Sequence, residues 1–244
     1  MKLLAIETST EACSVALWIE GQVRERYEVA PRRHTELVLP WADELLAEAG
    51  IGKSQLDAIA VGRGPGAFTG VRLAIALAQG MAMALDKPVV AVSTLAALAM
   101  RIPARAQDRS GDGEEHLLAA IDARMGEVYL GMFRRDAGQL LVPVGEEWMA
   151  SPADPQVPAG HRWLGAGTGF AAGDNALVAA LGGTLQDCDA GALPHAVDVA
   201  RLAALAFGRG EAVAPELIEP AYLRNNVALT LAQQRDAQAD KRAR

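Results

Sequence analysis

Cysteine is scarce. Cys13 and Cys188 are the two among 244 residues, and they lack the paired spacing of a zinc site or a disulfide framework. They read as small buried thiols in a reducing compartment. Histidine is scarce as well. His34, His116, His161 and His195 are scattered, with no two a helical turn apart, so no helical zinc pair is encoded and no metal site is expected. Positive charge is in deficit, with 23 Lys and Arg against 30 Asp and Glu and a net charge of −7. That balance argues against a protein that grips nucleic acid by bulk charge, though not against one working beside a basic partner. Long uninterrupted apolar runs are missing. The opening "MKLLAIETST" stops at Glu7, too soon for the apolar region of a signal peptide. "MAMALDKPVVAV" is broken by Asp86, Lys87 and Pro88, so no membrane span is expected and a cytoplasmic location is. No G-x-S-x-G elbow occurs, and Ser14 and Ser93 have no base near them in sequence, which leaves hydrolase chemistry unsupported.

What is abundant is apolar material, at 51% of residues. A chain of this length and apolarity builds one large or two small cored domains. Leu3–Glu7, Cys13–Gly21 and Val23–Ala30 read as strands, with a turn at Gly21–Gln22. Thr35–Ala49 reads as a helix with Thr35 as N-cap, kinked or restarted at Pro40. Strand Leu56–Gly62, helix Thr69–Leu85, strand Lys87–Ser93 and a helix from Thr94 follow. This alternation predicts an α/β layer with parallel strands.

Pro103–His116, "PARAQDRSGDGEEH", is polar and glycine-containing, the best linker in the chain. After it the pattern restarts. "LLAIETSTEACSVALW" and "LLAAIDARMGEVYLGMF" both read strand, Ile-acid, short turn, strand, with Ile6-Glu7 matching Ile121-Asp122. An internal duplication is expected, with residues 1–104 as one half, 115–230 as the other and 231–244 as a frayed charged tail. "LLVPVGEEWMA" reads as strand, Arg162–Leu181 as strand, glycine turn and helix, and Val197–Phe207 as a last helix.

Two stretches bear on chemistry. "GRGPGAFTGVR", Gly62–Arg72, is no P-loop, because Gly70 is followed by Val71 and Arg72 rather than Lys and a hydroxyl. Its glycines are also wrongly spaced for a dinucleotide fingerprint. What remains is a tight turn opening a helix, able to hold an anion or serving as architecture. That helix is apolar nearly all round and rich in small residues: Gly70, Ala74, Ala76, Ala78, Gly80, Ala82 and Ala84. One face packs on a sheet. The other calls for a partner helix or for cover from the chain's own helices. The second stretch is the matched pair of hairpins, whose Glu7 and Asp122 could orient magnesium-bound water over a nucleotide, with "LGAGTG", Leu164–Gly169, against base or ribose. Both acids read equally well as turn caps.

"LAIETSTEACSVAL", "HTELVLP", "GRGPGAFTGVR", "VSTL", "AIDARMGEVY" and "EPAYLR" occur in the order expected of the bacterial TsaB (YeaZ) family, which most of this chain resembles. The resemblance implies an α/β, actin-like or sugar-kinase-like (ASKHA) fold of two related halves, each a mixed sheet with helices. It implies a non-catalytic scaffold role in forming threonylcarbamoyl-adenosine in tRNA next to the anticodon. The partners it implies are a TsaD-like catalytic subunit and a TsaE-like ATPase, with tRNA engaged indirectly through the complex. It leaves open a homodimer of the isolated chain and weak ATP or ADP binding. The residues it marks for partner binding are Leu37, Trp41, Leu45, Val71, Ala74, Leu77, Ala78 and Met81, on two helices that pair with the same two of the partner. A vestigial nucleotide cleft would hold Glu7, Thr8, Ser9, Asp122, Arg124, Gly165 and Gly167. The catalytic relative carries a metal-binding H-x-x-x-H whose two positions, aligned on Pro88 and the valines after it, fall on Thr94 and Leu98. Leucine cannot ligate a metal. The alternative reading is a free-standing ATP-dependent kinase or phosphotransferase of the same fold, supported by the Glu7 and Asp122 pair.

Overall fold

The computed structural model describes residues 1–104, 115–135 and 141–223. Most of the Pro103–His116 linker and the whole 231–244 tail lie outside the described residues. β1 (Lys2–Glu7), β2 (Ala12–Ile19) and β3 (Gln22–Val29) form an antiparallel meander. The β2–β3 turn is Glu20–Gly21, both at positive φ (48° and 93°), the left-handed pair that a two-residue hairpin uses to match strand twist. β4 (Ala58–Gly62) runs parallel to β1, and β5 (Val89–Val92) parallel to β4, giving the order β3-β2-β1-β4-β5.

Alternation along the strands seats a different layer on each face. Leu4, Ile6, Val15, Leu17 and Ile59 meet α1 (His34–Glu48) and α2 (Phe68–Leu85). Leu3, Ala5, Ala16, Ala58 and Ala60 meet α5 (Ala196–Gly208) through Ala196, Val199, Ala200 and Ala203. Small side chains on both sides of that contact let the last helix lie close to the sheet. So α5, counted with the second half by its place in the chain, packs on the first sheet.

The second sheet repeats the plan. β6 (Glu115–Arg124) and β7 (Glu127–Arg135) are antiparallel, β10 (Trp163–Ala166) is parallel to β6, and β11 (Leu185–Asp189) is parallel to β10. The order is β11-β10-β6-β7-β8, with β8 (Leu141–Pro143) and β9 (Trp148–Ala150) both on β7. Read outward from β1 and from β6, the two sheets have the same connectivity, which is the duplication expected from the two matched hairpins. α4 (Ala172–Leu181) covers one face of this sheet through Leu177 and Leu181. α3 (Thr94–Ala99) lies between the sheets: Ala97 packs on the first, while Leu95 and Leu98 pack on the second.

Four local expectations are corrected. α1 begins at His34 after Arg33, with no side-chain cap, so Thr35 is not the N-cap. His34 Nε2 instead contacts the carbonyls of Thr10 (3.1 Å) and Ala12 (3.2 Å). α1 runs through Pro40 as one helix rather than restarting. "LLVPVGEEWMA" is two short strands, not one. β11, "LQDCD", is a strand that periodicity did not mark.

Candidate functional site

The glycine stretch is held from beneath by the turn after β1. The Glu7 side chain is buried at 1% exposure. Its Oε1 accepts from Ser9 N–H (2.6 Å) and from the Ser9 hydroxyl, and its Oε2 from the Thr94 hydroxyl (3.2 Å). Thr94 Oγ1 accepts in turn from Gly64 N–H (3.2 Å). Burial pushes the Glu7 carboxyl above its usual range, against the lowering pull of Ser9 and Thr94. A Cβ on Gly62 would lie 1.8 Å from Glu7 Oε2, one on Gly66 2.4 Å from Ser9 O, and one on Gly70 2.0 Å from Thr8 O. Thr8 Oγ1 donates to Gly70 O (2.8 Å), and Ala67 N–H donates to Ser9 O (2.7 Å). The glycines therefore serve close approach of backbone to backbone and to a carboxylate. They are architecture.

Above this turn, between the halves, lies a cleft of about 1050 Å³. Of the seven residues expected in a nucleotide cleft, Ser9, Asp122 and Arg124 line it. Asp122 binds its own hairpin: Oδ1 accepts from Arg124 N–H (2.8 Å) and Oδ2 meets Arg124 Nη1 (2.9 Å). Glu7 and Thr8 lie below the lining. Gly165 is closed off by Phe170 and Cys188, and Gly167 by Ala120 and Leu98, which a Cβ there would strike. The cleft rim carries residues that sequence reasoning missed. The Arg72 guanidinium sits 3.4 Å over the Phe68 ring, donates to Phe68 O (3.1 Å) and donates to Tyr222 OH (2.9 Å). Tyr222 reaches this place because its segment is pinned along α2: Gln79 Nε2 donates to Pro215 O (2.9 Å), Ile218 enters the core and Ala221 N–H donates to Arg63 O.

Thr94 and Leu98, which the resemblance set against a relative's metal ligands, are committed to the fold. Thr94 is fully buried and bonded to Glu7, and Leu98 is fully buried between the sheets. Among the described residues no group of three or more His, Cys, Asp or Glu is arranged to hold a metal ion.

The helix face is the second feature. α2 is 18 residues long and apolar enough by composition to cross a membrane, yet Gly70, Val71, Ala74, Ile75, Ala78 and Ala82 are buried, most of them packed on the sheet. This corrects the expected register. Leu45, Val71, Ala74 and Ala78 are core residues and unavailable to a partner, whereas Leu37, Trp41, Leu77 and Met81 are half-buried at the edge of that core. The small residues at i, i+4, i+8 and i+12 from Gly70 allow close approach to the sheet, not to a second molecule. The open face of α2 is instead Leu73, Ala76, Leu77, Gly80, Met83 and Ala84, and Leu37 and Trp41 of α1 pack on the same core cluster as Leu77. Met83 is 67% exposed and Leu39 45%, and a Cβ on Gly80 would meet open space. Exposed apolar patches of this kind commonly mark interaction surfaces in soluble proteins.

Comparison with known proteins follows the same lines. Residues 27–162 match the family model described as TsaD, tRNA N6-adenosine threonylcarbamoyltransferase. The chain is 40% identical to the tRNA threonylcarbamoyladenosine biosynthesis protein TsaB of Escherichia coli (strain K12), over 93% of this chain and 96% of the relative. Against the protein of that name from Haemophilus influenzae, identity is 40% over 93% and 95%. The solved structure of YeaZ from Pseudomonas aeruginosa is similar at a TM-score of 0.80, with 47% identity over 91% of this chain and 99% of that one. A transferase named tRNA N6-adenosine threonylcarbamoyltransferase, from Chlorobium luteolum, is 32% identical over 56% of this chain and 43% of its own length. With two sheets of one connectivity and near full-length identity to these relatives, the chain belongs to the TsaB (YeaZ) family, within the same superfamily as the TsaD transferases.

Proposed function

We propose that this chain is a non-catalytic scaffold subunit for threonylcarbamoyl-adenosine formation in tRNA, working in the cytoplasm. The observation that carries the reading is the pairing of near full-length TsaB identity with Thr94 and Leu98 at the aligned metal-ligand positions. A hydroxyl committed to Glu7 and a core leucine supply no metal-binding pair. The transfer step then belongs to a partner, a TsaD-like catalytic subunit, with a TsaE-like ATPase completing the assembly. The half spanning residues 1–104 carries the docking surface, the α1–α2 face around Leu37, Trp41, Leu77, Gly80 and Met81. The half from residue 115 completes the fold and closes the cleft.

The kinase alternative loses its main support from the placement of Glu7. A carboxylate sealed under Gly62 and saturated by Ser9 and Thr94 is poorly placed to orient magnesium-bound water.

Reconstitution tests the reading. Unmodified tRNA, the activated threonylcarbamoyl donor, the catalytic subunit and the ATPase are combined with and without this chain. Modified nucleoside is expected when both the chain and the catalytic subunit are present, and none with the chain as the sole protein. Product from this chain alone would overturn the assignment.

A further inference from the structure

We infer that the rim of the cleft formed by Phe68, Arg72 and Tyr222 binds single-stranded RNA directly, with bases stacking on the aromatic rings and a backbone phosphate on the arginine. Three observations converge there. Phe68 and Tyr222 are large aromatics held out in water, at 68% and 60% exposure, on the edge of the same cleft. Such rings are costly to leave open and are what unpaired bases stack on. Arg72 lies between them, over the Phe68 ring and bonded to Tyr222, so its fork is held in place before any ligand arrives. Arg26, Arg33, Arg135 and Arg209 each meet a carboxylate, whereas Arg72 meets none among the described residues. Its bonds to Phe68 O and Tyr222 OH use two of the guanidinium's five N–H donors, one on each terminal nitrogen.

The surrounding charge agrees. In a chain of net charge −7, this cleft is lined by Arg32, Arg72 and Arg124 against the carboxylates of Glu11 and Asp122. A volume of about 1050 Å³ is at the top of the roughly 300–1,000 Å³ range of small-molecule pockets, and the two rings that help line it are largely open to water. That shape suits a strand passing across the mouth. A free nucleotide would need its phosphates cradled, and the glycine turn has its approaches filled by Thr8 and Ser9. The choice of RNA rests on the reading of the chain as a tRNA-modification subunit. The binding itself needs no partner, so it is measured on the full chain alone and a negative result leaves the pairing assignment untouched.

The test is fluorescence anisotropy of a labelled single-stranded RNA oligonucleotide with the full-length protein at several salt concentrations. The wild type is expected to bind, more weakly as salt rises. Arg72→Gln is expected to weaken binding about tenfold and to lower the salt slope by about one. Phe68→Ala and Tyr222→Ala should each weaken it roughly tenfold through lost stacking, while Tyr222→Phe keeps most of it. Arg209→Gln, on a surface arginine outside the cleft, should change nothing. Circular dichroism confirms that each variant is folded, which the exposure of these side chains makes the expected outcome. No binding at low salt, or equal affinity for Arg72→Gln and wild type, overturns the proposal. Displacement of the RNA by ATP at matched nucleotide concentration would assign the rim to a mononucleotide and overturn it too, as would an acidic peptide competing as well as RNA.

Discussion

The Thr94 hydroxyl donates to Glu7 Oε2 at 3.2 Å, joining the start of α3 to the end of β1 across 87 positions of sequence. An acid offered for orienting magnesium-bound water and a threonine at the position of a metal ligand the resemblance marks as lost thus satisfy each other inside the core. Ser9 and Gly64 complete the cluster, so the arrangement fixes the glycine turn that launches α2.

This cluster has a pH signature. Burial raises the Glu7 carboxyl above its ordinary value of 4.5, so the native state holds its proton at pH values where the unfolded chain has released it. Stability therefore declines as pH rises from about 4.5 through the raised native value, and levels off beyond it. Glu147, also raised mainly by burial, and Asp198, raised likewise despite Arg101 and Arg201, act in the same direction. Glu7→Gln keeps an acceptor for Ser9, turns the Thr94 hydroxyl from donor to acceptor, and carries no proton to lose. Urea unfolding across pH should show a shallower decline for Glu7→Gln than for wild type. Parallel curves would mean that the Glu7 carboxyl titrates as it does in water.

Glycine positions in and beyond the turn separate close approach from open space. Gly62→Ala and Gly70→Ala place a methyl at 1.8 Å and 2.0 Å from Glu7 Oε2 and Thr8 O. Each should cost about 1–3 kcal/mol or more through forced displacement. Gly80→Ala meets nothing and should stabilise α2 by up to about 1 kcal/mol. Thermal unfolding of the three variants checks the contrast in sign.

Ser93 ties the halves together. Its Oγ accepts from Ala96 N–H (3.1 Å) as the N-cap of α3 and donates to Glu147 Oε1. Ser93→Ala removes a cap worth about 1 kcal/mol and leaves a largely buried carboxyl one donor short, adding about 1–3 kcal/mol. A loss of about 2–4 kcal/mol in chemical denaturation is expected, and Ser93→Thr should recover part of it. A loss under about 0.5 kcal/mol would show that the contact does not matter to stability.

Much of the fold was legible because its strands are short apolar runs and its two halves repeat one pattern. The parts that were not legible share a physical cause. β11 reads "LQDCD" because an edge strand half in water need not be apolar. α2 is apolar on every side, so periodicity could not tell the seated face from the open one. The small-residue stripe was read as a partner's seam when Gly70, Ala74, Ala78 and Ala82 lie buried toward the sheet. A clue lay in their regular spacing of four, continuous from the glycine turn. The placement of α5 on the first sheet and of Tyr222 beside Arg72 depends on contacts 150 or more positions apart, which local pattern does not encode. Glu7 was offered for a nucleotide cleft or as a turn cap, and its surroundings, Gly62, Ser9 and Thr94, decide that it holds structure.

The central claim is that the open α1–α2 face docks the catalytic subunit, and Gly80→Arg tests it most directly. The position is exposed with nothing within 4 Å of a Cβ, so the variant folds. Against a docked helix at roughly 8–10 Å, arginine separates the axes or buries a charge at several kcal/mol, each ~1.4 kcal/mol being tenfold in affinity. Ala74→Arg makes the contrast, because its site is fully buried and it should unfold the chain instead. Titration of the catalytic subunit against wild type and Gly80→Arg by calorimetry, with circular dichroism of both, gives the decisive comparison. A folded Gly80→Arg protein with affinity reduced a hundredfold or more is the predicted result. A folded Gly80→Arg protein that binds as wild type does would contradict the account.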